Sequence, residues 1–271
     1  MIPEEESLTD KCRSIHEILE SLPKYDHNTS PFELPTNGIY FFYEDGVFCM
    51  HGNGKQKRIV RIGTHRVDEN FRNRINSHYR GNKNSSVFRK HLGGALIRRK
   101  DPEDKRLKQW LEQDAPTFQE METEVTKELK GHFSFRCIPV EDKDERLRLE
   151  EELIATIAKC NNCTPSENWL GNFAADELVR ESGLWNNQYI HSKNYATKNT
   201  IQKLKELAVV ETPDITRSRP IEIDNVLHTS DKRKIVLVAT CTDSKDKGIR
   251  NSVNFSDFKS RCHNCFTRSF S

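Results

Sequence analysis

Two short apolar runs constrain what this chain can fold into. They are Asn37-Gly38-Ile39-Tyr40-Phe41-Phe42-Tyr43 and, some twenty residues on, Arg58-Ile59-Val60-Arg61-Ile62-Gly63. Both are rich in β-branched or aromatic residues, so both read as strands. Turn material separates them: Asp45-Gly46 and His51-Gly52-Asn53-Gly54. A further run, Val47–Met50, makes a hairpin with the first across Glu44-Asp45-Gly46 conceivable. Either Val47–Met50 or Arg58–Gly63 pairs with Ile39–Tyr43, and periodicity does not choose between them.

The remaining elements surround these strands. Leu8–Leu22 reads as an amphipathic helix with Ile15, Ile18, Leu19 and Leu22 on one side, stopped by Pro23. Asp68–Arg80 is a helix with a stripe of Phe71, Ile75 and Tyr79. Val87–His91 is a short helix that runs into Gly93-Gly94, and Lys105–Leu111 is another. Thr117–Lys130 is a helix opened by a capping box of Thr117 and Glu120. His132–Val140 alternates like a half-buried strand, and Asp144–Cys160 is a helix. The fold class expected is α+β (α/β), with a small three-stranded antiparallel or mixed sheet flanked by helices. The division expected is an N-terminal helix and linker at 1–33, a catalytic-size domain at 34–172, and a C-terminal extension at 173–271. The extension has helices at 174–182 and 200–207, a buried strand at Lys234–Thr240, and a last thirty residues expected to be partly disordered.

Charge narrows the function. The net charge of +2 hides a segregation, since from His51 to Trp110 there are roughly seventeen Lys/Arg against about five Asp/Glu. A basic block inside a near-neutral chain is the footprint of a polyanion partner. No apolar run approaches the ~20 residues of a membrane span. The N-terminus, Met1-Ile2-Pro3-Glu4-Glu5-Glu6, lacks the pattern of a signal peptide, so an intracellular, cytoplasmic location is expected. The eight cysteines are then expected as thiols. Cys160-x-x-Cys163 and Cys262-x-x-Cys265, with His263 beside the second, have the pairing of a four-thiolate zinc site. Their separation far exceeds that of zinc ribbons, so Zn²⁺ is not expected.

Three positions carry candidate chemistry. In the 144–160 helix, Leu147, Leu149, Leu153, Ile154, Ile157 and Ala158 define an apolar arc; Glu150 falls near its middle, Glu151 at its edge and Glu152 on the far side. A carboxylate aimed at a core is costly unless paired with a cation or bound to a metal. Arg74 and His78, four apart, share a helix face beside Phe71 and Ile75. A guanidinium held there suits forked contact with phosphate oxygens, although a structural histidine at 78 is an equal alternative. Tyr40 on its own is an ordinary strand tyrosine; beside a metal or a cation, its phenolate would be stabilised.

Gly38-Ile39-Tyr40 and the degenerate Arg61-Ile62-Gly63 resemble the two halves of the GIY-YIG nuclease signature. Phe71-Arg72-Asn73-Arg74-Ile75-Asn76-Ser77-His78 resembles the family's arginine helix. Leu149-Glu150-Glu151-Glu152-Leu153-Ile154 resembles its glutamate helix, and Pro165-Ser166-Glu167-Asn168 its asparagine segment. Order and local spacing agree over roughly Leu34 to Gly171; the departure is Arg61 where the family has its second tyrosine. The resemblance implies a metal-dependent endonuclease that hydrolyses DNA phosphodiester bonds in a restriction, homing or repair setting. It implies catalytic roles for Tyr40, Arg61, Arg74, His78, Glu150 and Asn168, with Glu150 holding one Mg²⁺ (or Mn²⁺). Lys55, Lys57, Arg58, Arg72, Arg80, Lys83, Arg89 and Lys90 would grip double-stranded DNA, with a homodimer admissible and no membrane involved. A nucleic-acid-binding protein with a degenerate core and an RNA or structure-specific nuclease stay open as alternatives.

Overall fold

A computed structural model describes residues 6–51, 54–112 and 115–208, together with the strands at 225–228 and 235–238. Residues 1–210 form one compact unit and 211–271 another. In the second unit, β4 (Asn225–His228) pairs antiparallel with β5 (Ile235–Val238), where a strand at Lys234–Thr240 is expected. The last thirty residues, with Cys262, His263 and Cys265, lie outside the described residues.

The first unit is built on β1 (Gly38–His51), which lies between β2 (Gly54–Gly63) and β3 (Phe133–Pro139). Both pairings are antiparallel, with Tyr40 opposite Gly63 on one side and Cys137 on the other. The chain is thus α+β with a three-stranded sheet flanked by helices. The open question of pairing resolves toward Arg58–Gly63, and Val47–Met50 is no separate strand. It continues β1, with Phe48, Cys49 and Met50 opposite Lys57, Gln56 and Lys55. The reversal therefore falls at 51–54. The Glu44-Asp45-Gly46 stretch is instead a register irregularity within β1, where Gly46 takes φ 82°, a left-handed conformation that glycine adopts without a steric penalty.

Each face of the sheet buries its own core, which explains the unbroken apolar run Ile39–Tyr43. Successive side chains alternate between faces. Tyr40, Phe42 and Val60 pack with Phe71, Ile75 and Tyr79 of α2 (Phe71–Arg80), Phe88 and Leu92 of α3 (Val87–Lys100), and Val125 and Leu129 of α5 (Gln119–His132). Ile39, Phe41 and Ile62 pack with Ile15 and Leu19 of α1 (Leu8–Glu20) and with Leu149, Leu153 and Ile154 of α6 (Lys143–Ala158). Ile201 and Leu204 of α8 (Lys198–Leu207) join the same core.

Several element ends differ from expectation for local reasons. α2 starts at Phe71, not Asp68, because Glu69 sits at φ 59°. α3 runs through Gly93-Gly94 to Lys100. A Cβ at position 93 would come closer than 3.0 Å to the Trp110 indole, which α4 (Arg106–Leu111) lays across it. Glycine here serves helix packing, not termination. The Thr117–Glu120 capping box does not form: Phe118 occupies the N-cap of α5 and makes no side-chain cap. α6 is capped by Asp142, whose carboxylate accepts the Glu145 N–H at 2.8 Å. After α7 (Glu177–Ser182) the chain turns at Gly183 and returns along the open edge of β2, where Trp185 N–H donates to Val60 O at 2.7 Å. Among the described residues, no helix is long and apolar enough to cross a membrane.

Candidate active site

The C-terminal end of β2 and the start of β1 open onto a cavity of about 430 Å³. Its lining brings Tyr40 from β1, Arg61 from β2, Arg74 from α2 and Glu150 from α6 to one place. Four residues far apart in sequence converge because α2 and α6 cover opposite faces of the same short sheet.

Tyr40 is fixed by its neighbours. Its ring lies across Gly63, where a Cβ would come closer than 3.0 Å to the hydroxyl. The hydroxyl is 2.9 Å from His78 Nε2. His78 lies fully buried behind Tyr40, outside the lining itself, and its Nδ1 is 2.8 Å from Ser86 Oγ. Burial, followed by the charges of Arg74, Arg61 and Arg89, holds the imidazole well below its ordinary pKa, so it is neutral.

Arg61 sits on the same face as Tyr40 and interacts with its hydroxyl. Its guanidinium lies 5.1 Å over the Phe88 ring and donates through Nη1 to the Trp185 carbonyl. Burial pushes its pKa down, and the Tyr40 and Glu150 oxygens oppose that shift. Arg74 is half-buried, and Nη1 reaches Ser85 O at 3.3 Å.

Glu150 accepts the Thr64 N–H at 3.1 Å. Among the described residues it makes no ion pair, so the alternative of a buried Glu–Arg pair does not hold. Burial pushes its carboxyl pKa up, while the Thr64 N–H and the Arg61 and Arg74 charges pull it back. Glu150 is the one carboxylate among the described residues lining the cavity. Mg²⁺ needs oxygen ligands and is commonly held by one or two carboxylates together with substrate phosphate, so this donor set fits the ion.

A family model described as the GIY-YIG domain matches residues 6–212. The chain belongs to the GIY-YIG nuclease family. It is accordingly a nuclease of the GIY-YIG type, in a family of phosphodiester-cleaving endonucleases. No curated protein and no solved structure gave a match.

Within this GIY-YIG core some expected residues fall elsewhere. Asn168 is exposed on the turn before Trp169 and does not line the cavity. The asparagines that line the cavity are Asn70, Asn186 and Asn187, the last two on the segment that follows α7. Asn186 accepts the Ile62 N–H at 3.0 Å and donates to Ile62 O at 2.8 Å, prolonging the pairing on the β2 edge. His65 and Arg66 also line the cavity. His65 Nδ1 donates to Val67 O at 2.7 Å, and its Nε2 accepts the Gly38 N–H at 3.3 Å. Nothing in periodicity or motif marks these three; only their position, directly after Ile62-Gly63 or on the returning edge segment, does.

The expected DNA grip divides. Arg58, Lys83 and Arg89 are buried and cannot reach a phosphate. Arg58 donates to Cys163 O at 2.6 Å and to Gly183 O. Lys83 Nζ donates to Glu112 O at 2.9 Å. Arg89 pairs with Glu122 at 2.7 Å and ties α3 to α5. Arg72 is half-buried, its Nε and Nη2 both donating to Leu34 O. Lys55, Lys57 and Arg80 are exposed and Lys90 half-exposed. Glu152 is also corrected: it is not on an open far side but buried, accepting from Thr200 Oγ1 of α8.

Proposed function

We propose that the chain is a divalent-metal-dependent endonuclease acting on double-stranded DNA. The observation that carries this reading is the convergence of Tyr40, Arg61, Arg74 and Glu150 on one cavity. Ser86 Oγ already accepts the Arg89 N–H at 3.3 Å, so its proton is free to go to His78 Nδ1. His78 Nε2–H then donates to the Tyr40 oxygen. With Arg61 as a second donor, the Tyr40 oxygen, once its own proton has passed to solvent, is held as a phenolate whose remaining lone pair faces the cavity. The attacking water gives its proton to that oxygen. Arg74 neutralises charge developing on the phosphoryl oxygens, in the manner of preorganised cationic donors. Thr64 N–H orients the Glu150 carboxylate, the residue that would hold Mg²⁺. The ion, when bound, supplies Lewis-acid stabilisation of the phosphate and leaving oxygen.

Single-turnover cleavage of a duplex tests the base. Tyr40→Phe is expected to lose nearly all activity while still binding DNA, because only a hydroxyl is removed. Arg61→Tyr, the usual family residue, is expected to retain some activity. A Tyr40→Phe variant that cuts like wild type rules this mechanism out. Cleavage of RNA in preference to duplex DNA transfers the site to the other substrate.

A further inference from the structure

The cysteines and histidines the nuclease site does not use are gathered in one place. Cys12 and His16 lie one turn apart on α1, Cys49 and His51 project from the same face of β1 near its end, and Cys160 and Cys163 flank the turn after α6. All six are buried, and the cysteines are free thiols. Cys12 Sγ is 3.4 Å from Cys163 Sγ and 3.6 Å from His51 Nε2. Cys163 Sγ is 3.1 Å from His51 Nε2 and 3.8 Å from His16 Nε2. One ligand atom from each of Cys12, His16, His51 and Cys163 lies within 4.8 Å of the other three.

We propose that Cys12, His16, His51 and Cys163 bind a structural Zn²⁺ that ties α1 and the turn after α6 to the distal end of the β1–β2 hairpin. Tetrahedral zinc with sulfur at ~2.3 Å and nitrogen at ~2.0 Å sets its ligands about 3.3–3.8 Å apart. The observed separations of 3.1–3.8 Å lie near these edges, and all four ligand atoms fall within 4.8 Å of one another. His16 Nδ1 is 2.9 Å from the Cys12 carbonyl, a bond that fixes the tautomer and leaves the Nε2 lone pair, which meets only a long contact from the Ile59 N–H at 3.5 Å, to a metal. Two thiolates and two neutral imidazoles leave a zinc site uncharged, which suits burial.

This ligand set departs from the expected pairing of the two Cys-x-x-Cys motifs. Cys163 meets its partners on α1 and β1, which are remote in sequence and carry no Cys-x-x-Cys spacing. Cys49 and Cys160 are buried as well, and Cys49 Sγ donates to Gln56 O at 3.7 Å. The site lies at the hairpin end away from Tyr40 and Gly63, so it concerns architecture and not the cleavage step.

Elemental analysis of the purified full chain tests this, in variants that separate the cluster from the tail. Cys262→Ser/Cys265→Ser is expected to keep about one zinc per chain, and Cys12→Ser/Cys163→Ser to lose one equivalent relative to wild type. Cys137→Ser, a buried thiol away from the cluster, is expected to keep all of it. To keep the test independent of the folding of the cluster variant, Co²⁺ is also exchanged into the tail variant. Tetrahedral d–d absorption with a thiolate charge-transfer band is expected there, lost on acidification as the thiols take protons. A tail variant with no zinc and no such spectrum overturns the proposal. So does a folded Cys12→Ser/Cys163→Ser variant with undiminished zinc, or an intact mass two units low from a Cys12–Cys163 disulfide.

Discussion

A methyl group at position 63 would press on the Tyr40 hydroxyl at under 3.0 Å, so the glycine opposite Tyr40 sets where the candidate base can lie. Gly63→Ala is expected to displace the ring and lower the cleavage rate by on the order of 10²-fold, as misplacement by about an ångström does, with duplex affinity nearly unchanged. Parallel kinetics and titrations would check it; an unchanged rate would free Tyr40 from this contact. Glu44 makes a second prediction at this scale. It is buried against Trp185 Nε1, and burial pushes its carboxyl from 4.5 up to about 7. The folded state therefore holds a proton that the unfolded chain releases between those values, so stability falls as pH rises through that window, by up to about 3 kcal/mol. Urea unfolding of Glu44→Gln against pH is expected to show that slope removed. Residues differ in how legible they are. Glu150 could be read from helical phase alone, because a carboxylate in an apolar arc is anomalous. Tyr40 and Arg61 could be read only through the family motif. His65 and Asn186 carried no signal, because their roles come from where two strands end and where a later segment returns.

At the level of elements, the helices and the three strands were legible in order, since hydrophobic period reports which face a segment buries. The hairpin turn was not. Gly46 looks like a turn residue, but it serves a bulge inside β1, and only pairing energy over the whole strand decides between the two. Charge density misled in a related way. Arg58, Lys83 and Arg89 count toward a basic block in the sequence, yet each satisfies carbonyls or a carboxylate inside the fold. Arg66, exposed at the cavity, is a better candidate for phosphate contact. Arg66→Ala is expected to weaken duplex binding and reduce the slope of log K against log salt by about 1, the loss of one phosphate contact. Arg58→Ala is expected to leave that slope unchanged and to lower stability by about 1–3 kcal/mol for each carbonyl left unpaired. Binding isotherms at several salt concentrations and urea midpoints separate the two; a changed slope for Arg58→Ala would contradict its burial.

For the first unit as a whole, the account joins a sheet covered on both faces to one cavity where the covering helices meet its end. The helix α2 brings Arg74 to one side and α6 brings Glu150 to the other, with Tyr40 and Arg61 between them. The most direct test is Mg²⁺-dependent cleavage of duplex DNA by wild type and Glu150→Ala, with binding measured on the same preparations. The expected result is cleavage by wild type that stops on chelation, and a Glu150→Ala variant that binds the duplex but does not cut it. A wild-type chain that binds DNA and never cuts it, or a Glu150→Ala variant that cuts at the wild-type rate, would contradict the account.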